Sequence, residues 1–201
     1  MSQHRLSGYA GVMTDGDERV PDAVRAVRDF VNTAEPQTGE EQLTDPERLR
    51  DWLRARDLLG PGVTLTHADL HRALAIREGL RVVLQAHAGH PLAEDTLGPI
   101  NAALGDTPMR LRIDTAGVRR LAPPGDDPVG GLVALLDRAA GTEGWERLKV
   151  CARESCRWAY YDTSRNRSGR WCSMAGCGNQ VKMRRAYATR RRRGGERANR
   201  R

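Results

Sequence analysis

Cys151–Arg193 reads CARESCRWAYYDTSRNRSGRWCSMAGCGNQVKMRRAYATRRRR and holds all four cysteines of the 201-residue chain. Cys151 and Cys156 form one pair, Cys172 and Cys177 a second, with four residues inside each pair and fifteen between the pairs. Two close pairs joined by a longer loop suit a tetrahedral four-thiolate zinc site. Each short knuckle aims two thiolates at one ion, and the loop brings the second pair round. Such sites are filled by protein ligands, so the expected role of Zn²⁺ is structural. Disulfides are the rival pairing. The first residues, MSQHRLSGYAGVMTDGDERV, lack the charged and apolar regions of a leader, so the expected compartment is the cytoplasm, where thiols stay reduced. A thioredoxin-like redox pair needs a two-residue spacer beside a βαβ unit, and neither is present. A segment with so little apolar material also draws on metal for its folding energy, of order ~10–16 kcal/mol.

Charge divides the chain at the same place. Lys149–Arg201 contains sixteen basic residues against Glu154, Asp162 and Glu196, a net +13. With +7 overall, residues 1–148 carry −6. The acidic part is ordinary for a soluble domain, and the basic part is the footprint of a polyanion binder. All but two of the basic residues are Arg, which a GC-rich coding genome also produces. No run approaches the ~20 apolar residues of a membrane span, so no membrane partner is expected.

The length allows one domain of about 150 residues and a small appendage. With only nine aromatics, its core must be built from Leu, Val, Ile and Ala. Residues 1–18 read as a loose arm or edge strand. Val24, Val27, Phe30 and Val31 share one helical face over Pro21–Thr33. Thr44, with Pro46 and Glu47, reads as the capped start of a second helix, whose Leu49, Trp52, Leu53 and Leu58 face inward. Thr66 opens the longest helix, which carries Leu70, Leu74, Arg77, Leu80, Val83 and Leu84 at helical spacing and ends near Gly89-His90-Pro91. A weaker helix over Leu92–Leu104 contains Gly98-Pro99. Met109–Asp114 alternates as a strand, with Val118–Leu121 as its hairpin partner, and Val129–Ala140 is a last helix before the cysteines. The expected fold class is α+β. A mostly helical N-terminal domain with a small sheet (1–148) precedes a four-cysteine zinc module ending in a basic helix (149–193). A basic disordered tail (194–201) follows.

Several residues then carry a resemblance. They are Asp162, Ser164, Arg165-Asn166-Arg167, Trp171-Cys172-Ser173-Met174 and Cys177-Gly178-Asn179 in the module. Phe30-Val31-Asn32-Thr33, Leu49 with Trp52-Leu53, Arg77-Glu78 with Leu80-Arg81, and Asn101–Leu104 supply weaker matches. The whole chain resembles the CGNR-type zinc-finger family, whose N-terminal partner is the ABATE domain. Gln180 stands where the family's name-giving motif ends in Arg, which removes one charged contact without touching the zinc ligands. The resemblance implies a stress-linked bacterial transcription regulator, a role itself inferred. It also implies an N-terminal domain that senses a small-molecule effector or mediates association.

In the module, Gly178 reads as the turn after the last ligand, Ser173 as a cap across the second knuckle, and Asn179 as a brace bonded to backbone. A helix is expected over about Gly178–Arg192, carrying Lys182, Arg184 and Arg185, with Arg190, Arg191, Arg192 and Arg193 round its end. Together with Arg165, Asn166, Arg167 and Arg170 of the long loop, these are the candidate contacts to duplex DNA. Trp158, Tyr160, Tyr161 and Trp171 read first as a small core around the zinc, and alternatively as base-stacking platforms. RNA binding, a zinc-thiolate redox sensor and a protein-interaction module remain alternatives. His67 and His71 read as surface histidines. Arg77, Glu78 and Arg81 read as surface or intrahelical ion pairs. With no phosphate-cradling loop and no nucleophile elbow, no enzyme activity is expected.

Overall fold

A computed structural model of the chain describes residues 19–105, 107–125, 127–184 and 186–188. The loose arm expected over 1–18, the side chain of Arg185, the arginines from Arg190 to Arg193 and the tail beyond them lie outside the described residues.

Helix α1 (Asp22–Val31) buries Val24, Val27, Phe30 and Val31, the face that the sequence spacing picks out. Two-residue strands β1 (Ala34–Glu35) and β2 (Glu40–Glu41) pair antiparallel after it. Helix α2 (Pro46–Arg54) is capped by Asp45, whose carboxylate accepts from the Arg48 N–H at 2.8 Å. The expected cap was Thr44, but its hydroxyl instead donates to Asp45. A carboxylate has the stronger claim at a helix start, because it also meets the positive end of the helix dipole.

Helix α3 (His67–His87) is the spine. Thr66 and Asp69 close a reciprocal capping box at its start. Helix α4 (Gly98–Gly105) follows a single 3₁₀ turn, Glu94–Leu97. It lies so close to α3 that a Cβ on Gly79 would sit 2.3 Å from the Cβ of Ile100. Strands β3 (Arg110–Ile113) and β4 (Arg119–Ala122) form the expected hairpin, though Leu111 and Ile113 are 60% and 65% exposed and lend nothing to the core. Helix α5 (Gly130–Ala140) buries Leu132 and Leu135.

Strands β5 (Leu148–Val150) and β6 (Ala159–Tyr161) make a third two-stranded sheet. Leu148, Val150 and Ala159 belong to the same buried cluster as α1, α3 and α5. The hairpin that carries the first cysteine knuckle is therefore rooted in the N-terminal core. Burying side chains of this size contributes roughly 1.5–3 kcal/mol each.

Two arginines form the expected intrahelical pairs with Glu78 but are buried, against the surface reading. Arg77 and Arg81 are only 4% and 1% exposed, not surface residues. Arg77 holds Glu41 through two bonds of 2.8 and 2.7 Å and also bonds Thr33 and Glu78. Arg81 donates to the carbonyls of Val31, Ala34 and Arg157 as well as to Glu78. A helical pattern shows which face a residue occupies, but not that a guanidinium can be buried once carbonyl and carboxylate partners surround it. No helix among the described residues is long and apolar enough to cross a membrane.

Candidate metal centre

The first knuckle leaves β5 at Cys151, whose N–H bonds the Trp158 carbonyl at 2.9 Å. The Arg153 carbonyl then accepts from the N–H groups of Cys156 and Arg157, turning the chain back on itself. Arg157 closes that turn with φ of 50°, in the left-handed region. The second knuckle is a π-helical turn, Met174–Gly178, capped by Ser173, whose hydroxyl accepts from the Gly176 N–H at 3.2 Å. Gly178 is favoured there for a different reason from the expected one. Its φ is not positive, but a Cβ would sit 2.8 Å from Met174 Sδ and 3.1 Å from the Trp171 ring. A side chain there would require the flexible end of Met174 to move and would crowd the Trp171 ring.

Between the knuckles, Asp162 organises the loop. It is 3% exposed and accepts from Lys149 Nζ at 2.8 Å and from the N–H groups of Ser164 and Gly169. Lys149, 4% exposed, also donates to the Arg167 carbonyl. Burial raises the Asp162 carboxyl, but the hydrogen bonds from Lys149 and Ser164 outweigh it and hold the group below its usual range. Arg147 pins the loop further through the carbonyls of Asp162 and Ser164.

These frames bring the four cysteine Sγ atoms within 4.8 Å of one another. Cys156 to Cys172 is 3.8 Å and Cys172 to Cys177 is 3.7 Å. A tetrahedron with metal–sulfur bonds of about 2.3 Å has edges of about 3.8 Å, so the cluster fits one zinc-sized ion. None of the four is in a disulfide. The cluster is electrostatically poised for a cation. Hydrogen bonds from the Cys156 and Cys172 thiols pull Cys151 down, while the contact with Cys151 pushes Cys156 up to about 11 and Cys172 up as well. A divalent ion bound among the four would displace the thiol protons. Arg153 Nη1 lies 3.7 Å from Cys177 Sγ, where it offsets thiolate charge. Trp158 and Trp171 pack on the cysteines, and Tyr161 packs on the main core. Tyr160 donates its hydroxyl to the Gly169 carbonyl, and burial pushes that hydroxyl well above its usual range. Trp158, Tyr160 and Trp171 thus surround the cysteines as the module's small core, while Tyr161 belongs to the main core.

The candidate nucleic-acid contacts fall into groups. Arg165 and Asn166 are exposed at the top of the loop. Arg167, also exposed, bonds Glu146 at 2.8 Å and has φ of 51°. Arg170 is exposed, with its guanidinium 5.6 Å from the centre of the Trp171 ring. Residues 179–184 and 186–188 are helical, and Lys182 and Arg184 project from them into solvent. Arg170 and Arg184 meet across one shallow cleft of about 430 Å³ beside Arg153 and Trp171. Asn179 is exposed, and among the described residues its side chain makes no backbone bond. His67 and His71 are exposed, as expected.

Sequence reasoning missed Asn32. Its amide donates to the Ala159 carbonyl at 2.9 Å and accepts from the Ala159 N–H at 2.8 Å, pairing with β6 as a neighbouring strand would. Asn32 and Arg81 both lie in the weaker N-terminal matches of the resemblance, and that was the available signal. Comparison with protein families matches residues 22–143 to ABATE, described as "Putative stress-induced transcription regulator", and residues 147–192 to the CGNR zinc finger. Comparison with curated proteins finds no match.

Proposed function

Since the chain belongs to the ABATE family and carries a CGNR zinc finger behind that domain, we propose that it is a zinc-dependent regulator that binds duplex DNA through the finger. Zinc is the ion the cluster suits, because four thiolates at tetrahedral spacing with no open position match its preference. The ion fixes both knuckles, and the knuckles set the direction of the helical residues from 179 onward. The observation that carries the reading is one of placement. Arg165, Asn166, Arg170, Lys182 and Arg184 are all exposed on a module whose own acidic residues are few, with Asp162 buried and bonded. Exposed guanidinium and amide groups on a rigid frame suit phosphate oxygens and base edges. The arginines beyond Thr189 add a sequence-independent grip. The N-terminal domain senses or associates, the protein works in the cytoplasm, and catalysis has no part.

The test is duplex binding by zinc-quantified protein across a salt series, with Cys172→Ser and a truncation after Thr189 alongside. If six phosphates are neutralised, affinity falls roughly 10³-fold between about 50 and 200 mM salt. The slope should vanish in Cys172→Ser and only flatten in the truncation. Binding that survives Cys172→Ser but is lost with the tail would reduce the arginines to a generic polyanion hook. Preference for structured RNA in competition would move the partner to RNA.

A further inference from the structure

Arg157 occupies a position its backbone does not favour. With φ of 50° it closes the first knuckle in the left-handed region, where glycine is the unstrained choice. An arginine there costs about 1 kcal/mol or more, so its side chain is where a contribution has to be sought. Yet its Nε is buried and makes no hydrogen bond. No carboxylate among the described residues forms a salt bridge with it, although Glu154 lines the same cleft. A second cation stands close by, since Arg81 donates to the Arg157 carbonyl at 2.9 Å. Burial, with the neighbouring Arg77 and Arg157 charges opposing Glu78, holds Arg81 below its ordinary range. Arg77 and Arg81 are answered by Glu41 and Glu78, which leaves half-buried Arg157 as the cation of this group with no ion pair among the described residues.

Arg157 lines a cleft of about 450 Å³ between the end of α3 and the first knuckle, and the exposed Glu154 lines it as well. Gln85 and His90 come from the α3 side, while Val150, Cys151 and Ala152 form the opposite wall. The volume is in the range of small-ligand sites, which favour the seam between two structural units. Gln85 offers amide hydrogens, His90 a ring nitrogen and Arg157 a planar fork, all matched to an oxyanion. Val150 and Ala152 leave room for a compact organic body.

We propose that this cleft is an effector site for a small organic anion, with its carboxylate or phosphate on Arg157 and its body against Val150 and Ala152. Cys151 lies in the wall and Cys156 immediately precedes Arg157, so an anion here braces both metal ligands of the first knuckle. Coupling of this kind is reciprocal: anion binding tightens the metal, and the metal tightens the anion. The proposal rests on the regulator reading only for the word effector, and its test involves no DNA.

The metal-loaded full chain is compared in 50 mM inorganic phosphate, 50 mM acetate and potassium chloride, all at about equal ionic strength. The readouts are Tm and the rate at which a coloured chelator removes the metal. Phosphate stabilises folds generally by exclusion, so the informative quantity is the difference between wild type and Arg157→Gly. Glycine suits the φ of that residue, and the variant keeps the carbonyl that Arg81 bonds. In wild type, at least one anion should raise Tm by about 2–4 °C and slow metal removal about tenfold, as for a probe at roughly ten times its Kd. Both differences should disappear in Arg157→Gly, and in Arg157→Gln, which keeps a polar side chain there without the charge. An equal response in the variants overturns the site, and so does a wild type that responds to neither anion.

Discussion

At the scale of single residues, the chain spends its charge inside as well as outside. Arg77 reaches Glu41 by two short bonds, and the pair fastens α3 to β2. Burial raises the Glu41 carboxyl, but the hydrogen bond from Arg77 leads the effects that outweigh it, so the group sits below its ordinary range. A depressed carboxyl contributes stability that is present above its unfolded value of about 4.3 and is lost as pH falls through its folded value. Glu41→Gln should therefore cost about 1–2 kcal/mol at neutral pH. It should also flatten the decline of stability below pH about 4.3. Urea unfolding at a series of pH values reads both, and parallel pH curves for wild type and variant would refute the assignment. Neither arginine was legible as a buried anchor. Helical spacing puts Arg77 on the inner face, but its acceptors come from Thr33 and Glu41, remote in sequence. Arg81 depends on carbonyls that only the folded chain gathers.

At the scale of elements, regular pieces were legible and irregular ones were not. Thr66 marks the start of α3, and the apolar spacing of α1 gives its buried face, because both signals are local. The alternation from Met109 gives the β3–β4 hairpin but not its exposure, which tertiary packing decides. Strands β5 and β6 are three residues each, too short to show a period, so neither is legible from alternation. The cysteine spacing was enough for the metal cluster. The loop between its knuckles shows what spacing leaves out, namely the buried Lys149–Asp162 pair that fixes it. Removing one partner strands the other charge, so Asp162→Asn should cost about 3–5 kcal/mol. Lys149→Met added to it should recover part of that loss, since the orphaned ammonium is then gone. A double-mutant cycle on metal-loaded protein measures this. A double variant as unstable as the sum of the two singles would show that the pair is not coupled.

At the scale of the molecule, the metal module is built into the N-terminal domain. Leu148, Val150 and Ala159 share its core, Asn32 pairs with Ala159, and Arg81 bonds the Arg157 carbonyl inside the first knuckle. His87 adds a contact between its Nδ1 and the Leu148 carbonyl at 2.8 Å, stacked edge-on against Trp145. The first knuckle is therefore joined to α1 and α3 by direct contacts. The consequence is thermodynamic. If the two parts unfold together, the free energy of metal binding stabilises the whole chain, not the finger alone. Transmission of even about 5 kcal/mol corresponds to roughly 10–20 °C for a chain of this size. Calorimetry should then show a single transition in metal-loaded protein, and chelation should lower all of it. Arg81→Met combined with Asn32→Ala removes two of these three polar links, leaving the His87 contact and the cysteines intact. Those variants should split the transition, with the N-terminal part becoming insensitive to chelator. Two transitions in wild type, only one of them moved by metal, would mean that the joint carries no energy and that the domains merely touch.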